Sequence, residues 1–441
     1  MAIHGEQFNL DLNSLSYTLN IYVGDVKNPV QESFIWNDNI ASLIIESDVD
    51  RPVIYGKMIY TDRNNLYFNN IDPNNTTFMQ MVLVANTVSE QPNDPIRSVG
   101  DEFSEVFLID RVEIIDRAIT DVTYEIHFTS NDWSNFNNYL PYSSVGPKKH
   151  LSILKDLFNR GGLSLDVSEG ATAIDKESAF ISPANYTLND SINYILSISA
   201  SEDTFVYNFT YDWIKQKYRL FSPKKDFDTI LKGDVKAGKL VPANNVLLMN
   251  SRFDTPTGKA AKRTIRDVTS ENINGATHNV ELSKDLLFYH YDQTKREWTT
   301  NEVNYNKIVN SLPKETSSGS EIFVNKFVNL ENGSSSKFKR EIVPREPFIY
   351  DTSIREIFND SKVIKFKTEG WINRKSGEFL YIFVNPKDEM YDKLDGLWFI
   401  LKVIKNISGS NFEDVVYACR IDRGKPLFNQ LFGKKSEGET E

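Results

Sequence analysis

The chain of 441 residues is poor in several things that would have fixed its chemistry. It has one cysteine, Cys419, so no intramolecular disulfide and no multi-thiolate zinc cluster can form. Glycine (21) and proline (16) are too sparse for a collagen-like or low-complexity chain. No window reaches the roughly 18 consecutive apolar residues of a membrane span. The N-terminus, MAIHGEQFNLDLNSL, lacks a basic segment followed by an apolar one, so no secretory leader is expected. Basic charge is in deficit: 50 Lys and Arg against 61 Asp and Glu leave a net charge of −11. That sign excludes general nucleic-acid binding driven by counterion release.

Catalytic grammar is also missing. No two of the five histidines (His4, His127, His150, His278, His290) stand four apart on a helix, and no HExxH occurs. His127 reads as a solvated or pocket-lining strand residue. Gly258-Lys259 lacks the preceding glycine of a phosphate loop and is followed by Ala260. There is no GxSxG elbow and no GxGxxG fingerprint. Glu46, Asp48 and Asp50 cluster in ESDVD without the glycine and closing glutamate of a calcium loop, and read as a solvated strand end. No pair of carboxylates stands out for glycoside hydrolysis. Cys419 in an alternating strand reads as a buried inert thiol. Trp371 and Trp398 read as core. The expectation is no enzyme, no metal and no cofactor.

What is present is core material. Hydrophobic residues make up 40% and aromatics 12%, with 28 Phe and 20 Tyr. At about 150 residues per domain, the length predicts about three domains. YTLNIYVGDV, ASLIIESDVD, PVIYGKMIYT, TTFMQMVLVAN, EVFLIDRVEII and VTYEIHFT read as strands. They make residues 1–136 an all-β block. Residues 137–227 read as α+β. Leu151, Leu154, Leu157 and Phe158 mark one amphipathic helix, closed by Gly161 and Gly162. Thr187 and Asp190 start a second. TFVYNFTYDWIKQKYRLFSP then reads as a hairpin with a polar tip around Asp212–Lys217. TNEVNYNKIVNSL and DTSIREIFND read as short helices. The strands of KVIKFKTEGWINRKSGEFLYIFVNP, LDGLWFILKVIKNISG and NFEDVVYACRIDR close the chain, and the tail KKSEGETE reads as disordered.

An internal repeat ties the two ends together. FLIDRV (107–112) aligns with WFILKV (398–403). After a polar turn, Val122, Tyr124, Ile126 and Phe128 align with Val415, Tyr417, Cys419 and Ile421 in steps of two. Each hairpin closes a β-rich block, so the chain is expected to carry two copies of one β-barrel-like domain around an α+β insertion.

LDGLWFILKVIKNISGSNFEDVVYACRIDR resembles the closing hairpin of phage tail hub proteins. The order that follows the first block is similar to the middle domain of the central baseplate hub of T-even-type contractile phages: SILKDLF, then ISPANYTLNDSINYILSISASEDTFVYNFTYDWIKQKYRLF. The likeness spans most of the chain but is poor over 271–345. It implies a mostly β, α+β fold with two tail-tube-like antiparallel barrels and an α+β insertion domain. In family fashion the second barrel is split. An early part lies at 228–270 and the main part at 346–425, with 271–345 as insertion and loops joined to the middle domain and 426–441 as tail. It further implies a structural, homotrimeric ring in the virion tail baseplate, made in the host cytoplasm. Such a ring adapts a sixfold tail tube to a threefold spike around the DNA channel. The implied partners are the spike protein, tube or tube-initiator proteins and baseplate wedge proteins, with DNA only passing through and no stable membrane insertion. Leu427, Phe428, Leu431 and Phe432 in PLFNQLFG have helical spacing and are the candidate partner or trimer contact. A tail-associated cell-wall glycan hydrolase and a carbohydrate-binding adhesin are the competing readings.

Overall fold

A computed structural model describes residues 8–12, 15–25, 33–34, 40–63, 77–87, 102–138, 144–172, 174, 176–181, 185–199, 207–231, 241–242, 245–249, 264–270, 286–292, 297–303, 324–327, 363–384, 394–408 and 411–420. The first β-rich stretch comprises β1 (Phe8–Leu12), β2 (Leu15–Asp25), β3 (Ser33–Phe34), β4 (Ile40–Asp48), β5 (Arg51–Arg63), β6 (Thr77–Thr87), β7 (Glu102–Arg117) and β8 (Asp121–Ser130). The central stretch carries α1 (Asp132–Asn137), β9 (Ser144–Lys149), α2 (His150–Arg160), β10 (Leu165–Val167), β11 (Glu177–Ile181), α3 (Leu188–Ser199), β12 (Asn208–Asp212), β13 (Lys217–Phe221) and α4 (Pro223–Leu231). Then come β14 (Val246–Met249), β15 (Arg266–Ser270), β16 (Leu286–Asp292), β17 (Glu297–Val303), β18 (Val324–Phe327), β19 (Val363–Glu369), β20 (Phe379–Val384), β21 (Gly396–Ser408) and β22 (Asn411–Arg420). The fold is α+β and mostly antiparallel β.

One continuous sheet runs β1-β2-β6-β7-β8-β5-β4-β21-β22-β19-β15, with β3 on β2, β20 on β21 and β14 on β20. It contains two copies of the same order. β2-β6-β7-β8-β5-β4 in the first half corresponds to β14-β20-β21-β22-β19-β15 in the second. The second copy closes on itself. Leu248 in β14 bridges Thr264, and the Ile265 N–H donates to the Leu248 carbonyl at 2.9 Å. Its parallel β14–β20 pair is where it departs from the first copy, whose β2–β6 pair is antiparallel.

Period-2 alternation explains both cores, because it sends every second side chain inward. In the first copy the inward set is Leu43, Ile45, Met58, Met79, Met81, Leu83, Phe103, Phe107, Tyr124, Ile126 and Phe128. In the second it includes Ile364, Phe366, Leu380, Ile382, Trp398, Ile400, Val403, Val416 and Ala418. Each copy uses a glycine to seat a phenylalanine from the next strand. A Cβ on Gly56 would lie 2.3 Å from the Phe128 ring and 2.6 Å from the Ile44 carbonyl oxygen. One on Gly370 would lie 2.4 Å from the Phe412 ring. Only a residue without Cβ admits the ring at that distance.

The bulges give the true register of the repeat. β7–β8 slips between Ile109 and Arg111, and β21–β22 slips between Ile400 and Lys402. FLIDRV and WFILKV therefore align as the sequence suggests. The second strands do not. Tyr124 lies opposite Ile114 and Asp414 opposite Lys405, so Tyr124 corresponds to Asp414 and Val122 to Phe412. The expected match of Val122 with Val415 is three residues out. A shift by an odd number turns a strand over: Phe412, Asp414, Val416 and Ala418 point inward, whereas Val415 and Tyr417 are only half-buried.

Two helices of the central unit, α2 and α3, follow the sequence closely, whereas α1 and α4 were not expected from it. α2 buries Ile153, Leu154, Leu157 and Phe158 and ends at Gly161, with Gly162 at φ +68°. α3 starts with the expected reciprocal cap: the Thr187 N–H donates to Asp190 Oδ2 (3.0 Å) and the Asp190 N–H to Thr187 Oγ1 (3.1 Å). Both helices share a core with the hairpin β12–β13, where the rings of Phe136, Phe158, Phe209 and Tyr218 pack edge to face or tilted.

Two local expectations are corrected. Residues 300–303 of TNEVNYNKIVNSL belong to β17, not to a helix; Thr299, Thr300 and Val303 are β-branched and pair with β16, Thr300 opposite Tyr289. The tip of β12–β13 is not simply polar and solvated. Asp212 and Trp213 are buried there, against the first barrel, and Ile214 is exposed. The DTSIREIFND segment lies outside the described residues.

Candidate assembly interface

The two barrels meet edge to edge. β4, the last strand of the first copy, pairs with the far half of β21, from Lys402↔Asp48 to Ile407↔Leu43. The near half of β21 pairs with β20. The bulge at Leu401 separates the two halves, and its carbonyl accepts from the Val49 N–H at 2.9 Å. Lys402 Nζ bonds Glu46 Oε1 across the joint, and Ser47 Oγ meets Ser376 Oγ at 2.7 Å. The tip of the β21–β22 hairpin thereby leaves its own barrel. Ile407 and Phe412 pack into the first barrel's core, together with Ile372.

A buried network of charges fixes this joint. The loop 370–377 between β19 and β20 folds inward. Arg374 bonds Asp414, and its Nη1 also donates to the Glu369 carbonyl at 3.0 Å. Lys405 Nζ lies 3.4 Å from Asp414 Oδ1 and donates to the Trp371 carbonyl at 2.6 Å. Asn245 links Arg374 Nε (3.2 Å) to Glu378 Oε2 (3.1 Å). Lys375 Nζ reaches Asp212 Oδ1 at 2.6 Å in the central unit, and Arg219 bonds Asp226 there. Four cations thus face four carboxylates, so no charge is buried alone. Burial pushes the Lys405 ammonium down to about 8, against the pull of Asp414. Trp213 sits at the centre: its ring centroid is 5.7 Å from that of Phe103, with Lys375 Nζ at 5.8 Å and Lys405 Nζ at 5.6 Å.

Among the described residues the corresponding hairpin of the first copy has no such cover: β7 pairs with β6 only as far as Leu108, and beyond its bulge with β8 alone. Val112 is 38% exposed, Ile114 55% and Ile115 53%, and Ile119 in the turn is fully exposed. Their counterparts in register, Val403 and Lys405, are 0% and 2% exposed. Arg111, the counterpart of Lys402, pairs with Glu113 on its own strand.

Beneath this hairpin lies a cluster of acids and tyrosines. The Tyr218 hydroxyl donates to Asp132 Oδ2 at 2.8 Å, and Tyr211 hydrogen-bonds Glu105, whose Oε2 has no partner. Burial pushes the Glu105 carboxyl up to about 7, opposed by the Tyr211 bond and reinforced by Asp132. His150 is held neutral, its pKa lowered to about 4 by burial and by Lys176, with Nδ1 2.8 Å from Ser199 Oγ.

Nothing catalytic emerges among the described residues. A cleft of about 600 Å³ is lined by Asp50, Asn185, Tyr186, Asn189 and Asp190, among others. Asp50 is exposed and Asp190 is engaged as a helix cap, so the cleft offers no buried acid. No group of three or more potential metal ligands occurs among the described residues. His127 is part-exposed beside Glu125 (2.9 Å), Cys419 and Trp398 are buried, and Glu46 is spent on the joint. Leu427, Phe428, Leu431 and Phe432 lie outside the described residues. Sequence reasoning missed Arg374, Lys375, Lys405 and Asp414. Their partners stand up to 163 residues away in Asp212, so no local pattern marks them.

No protein-family model and no curated protein sequence matches the chain. Solved structures do match. The 43 kDa tail protein of prophage MuSo2 from Shewanella oneidensis superposes with a TM-score of 0.53 at 8% identity, covering 92% of this chain and 99% of that one. The tail protein from Neisseria meningitidis MC58 gives 0.52 at 9% identity, covering 91% and 96%. A chain of the Francisella PdpA–VgrG complex gives 0.51 at 12% identity; the match covers 94% of this chain and 59% of that one. The chain has the fold of phage tail proteins.

Proposed function

We propose that the chain is a non-enzymatic structural hub of a phage tail baseplate. Three copies would form a ring of six barrels around the DNA channel, meeting a sixfold tail tube on one side and a threefold spike on the other. The observation that carries this reading is the duplicated barrel: two copies of one strand order in a single chain, joined edge to edge by β4 and β21. A threefold assembly needs two quasi-equivalent units per chain to present sixfold spacing. The shared fold with tail proteins supports it, and so does the net charge of −11, which would not retain passing DNA.

In this reading residues 1–136 form the first barrel and 228–270 with 346–425 the second. The unit at 137–227, with 271–345 joined to it, faces neighbouring subunits and wedge proteins. The stripe Leu427, Phe428, Leu431 and Phe432 in the 426–441 tail would contact the trimer or a partner. Location in the virion tail and association with spike and tube proteins follow from the same reading.

Light scattering across a concentration series tests it. The expected result is a mass of three times 50.6 kDa, alone or with a spike protein added. A single-chain mass under both conditions would overturn the hub.

A further inference from the structure

The intrachain joint is a template for a contact the single chain leaves unmade. Two surfaces build that joint: the outer edge of β4 and the part of β21 beyond its bulge. Each has a counterpart in the other barrel. β15 corresponds to β4, since both are the strand beyond the one pairing the hairpin's second strand. Through β19 and β22, Ser270 takes the place of Ile45 and Thr269 that of Ile44. β7 corresponds to β21, with Ile114 in the place of Lys405 and Asp116 in that of Asn406. Among the described residues, Arg266–Ser270 pairs only with β19, and β7 beyond Leu108 pairs only with β8.

We infer that the open edge of β7 from Arg111 to Asp116 pairs, antiparallel, with the outer edge of β15 in a second copy of this chain. The register repeats the internal joint, so Ile114 faces Ser270 and Asp116 faces Thr269. The inference rests on the ring reading for the number of copies but not for the contact itself.

Three observations favour a second copy over other occupants. The chain already carries both halves of the contact, and among the described residues the two are not paired with each other. The exposed side chains are apolar where the internal joint buries its own: Val112 sits where Val403 is covered, and Ile114 where Lys405 is covered. Charged Asp110, Arg111, Glu113, Asp116 and Arg117 surround the isoleucines, the apolar centre and polar rim of a protein interface. A head-to-tail contact of this kind, repeated, closes a ring.

Two pairs of cysteines read the register, Ile114→Cys with Ser270→Cys and Asp116→Cys with Thr269→Cys. Adjacent antiparallel pairs alternate in Cα separation, so at least one pair suits a disulfide. The native thiol, Cys419, is buried and does not interfere. Oxidation of the full-length chain at high concentration should link copies through at least one pair. Absence of linkage in both overturns the edge contact. A second measurement is the mass of Ile114→Asp/Ile115→Asp, at exposed sites that leave the single chain folded. Where the parent is a trimer, the variant should fall from three chains to one. A variant that stays trimeric overturns the edge contact and leaves the ring standing. Cross-linking of a parent that is otherwise monomeric keeps the edge contact and overturns the ring.

Discussion

The hairpins β7–β8 and β21–β22 share a bulge, a strand order and an aromatic-apolar opening, yet one tip is covered and the other bare. At matching positions the covered tip carries Lys405, 2% exposed, and the bare tip carries Ile114, 55% exposed. Side-chain type alone would have reversed that assignment. Neighbours decide it: β4 and the inward loop 370–377 lie against β21, and nothing among the described residues lies against the end of β7. The lysine is tolerated because Asp414 and the Trp371 carbonyl meet it. The isoleucine at an open edge is the kind of exposed apolar group that marks a contact.

The largest test strips the cover from the buried tip. Arg374→Ala leaves Asp414 with Lys405 as its one cation, beside the Trp371 N–H, and orphans Asn245 Oδ1. Loss of one partner of a buried pair costs about 3–5 kcal/mol, so urea unfolding should shift by that order. A shift under about 1 kcal/mol would show that the network is dispensable. The next test compares the tips directly. Ile407, 3% exposed, should cost about 2–5 kcal/mol as Ile407→Ala. Ile114→Ala should change single-chain stability by no more than about 0.5 kcal/mol. Equal effects would abolish the contrast.

Gly56→Ala forces a methyl into the Phe128 ring and the Ile44 carbonyl, and should cost about 1–3 kcal/mol. The expected companion, Gly370→Ala against Phe412, should behave alike if the two seats are equivalent. The last test is one of pH. Glu105 titrates near 4.5 when unfolded and about 7 when folded. Between those values the folded chain holds a proton that the unfolded chain has lost, so stability falls as pH rises from about 4.5 to 7. Its counterpart in β21 is Gly396, so this slope belongs to the first barrel alone. Glu105→Gln should match the parent at pH 4 and exceed it in melting temperature at pH 8. His150 acts oppositely, with stability lost as pH falls from about 6.5 to 4. A parent-minus-variant difference that is flat with pH would remove Glu105 from the account.

Much of the fold was legible because it is local. Alternation marked β4 through β8, β21 and β22; helical spacing marked α2 and α3; and Thr187 with Asp190 announced a cap that is formed. FLIDRV and WFILKV matched because both enter the same bulge. The register of β8 against β22 was not legible, since Val415, Tyr417 and Cys419 on one face of β22 alternate as plausibly as Phe412, Val416 and Ala418 on the other, and tyrosines at 124 and 417 drew the alignment to the wrong face. Nor was the burial of Arg374, Lys375 and Asp212. A basic loop such as INRKSG reads as solvated unless its distant carboxylates are known.

The joint between the barrels also has a meaning in time. Glu46 and Lys402 stand 356 residues apart. At the usual 5–20 residues per second of synthesis, β4 leaves the ribosome about 20–70 s before its partner strand exists. For that interval its outer edge is an unpaired template. Glu46, Asp48 and Asp50 place three negative charges near its end, the device by which exposed strands repel chance partners. The same Glu46 that later holds Lys402 thus first serves as a guard on the nascent chain.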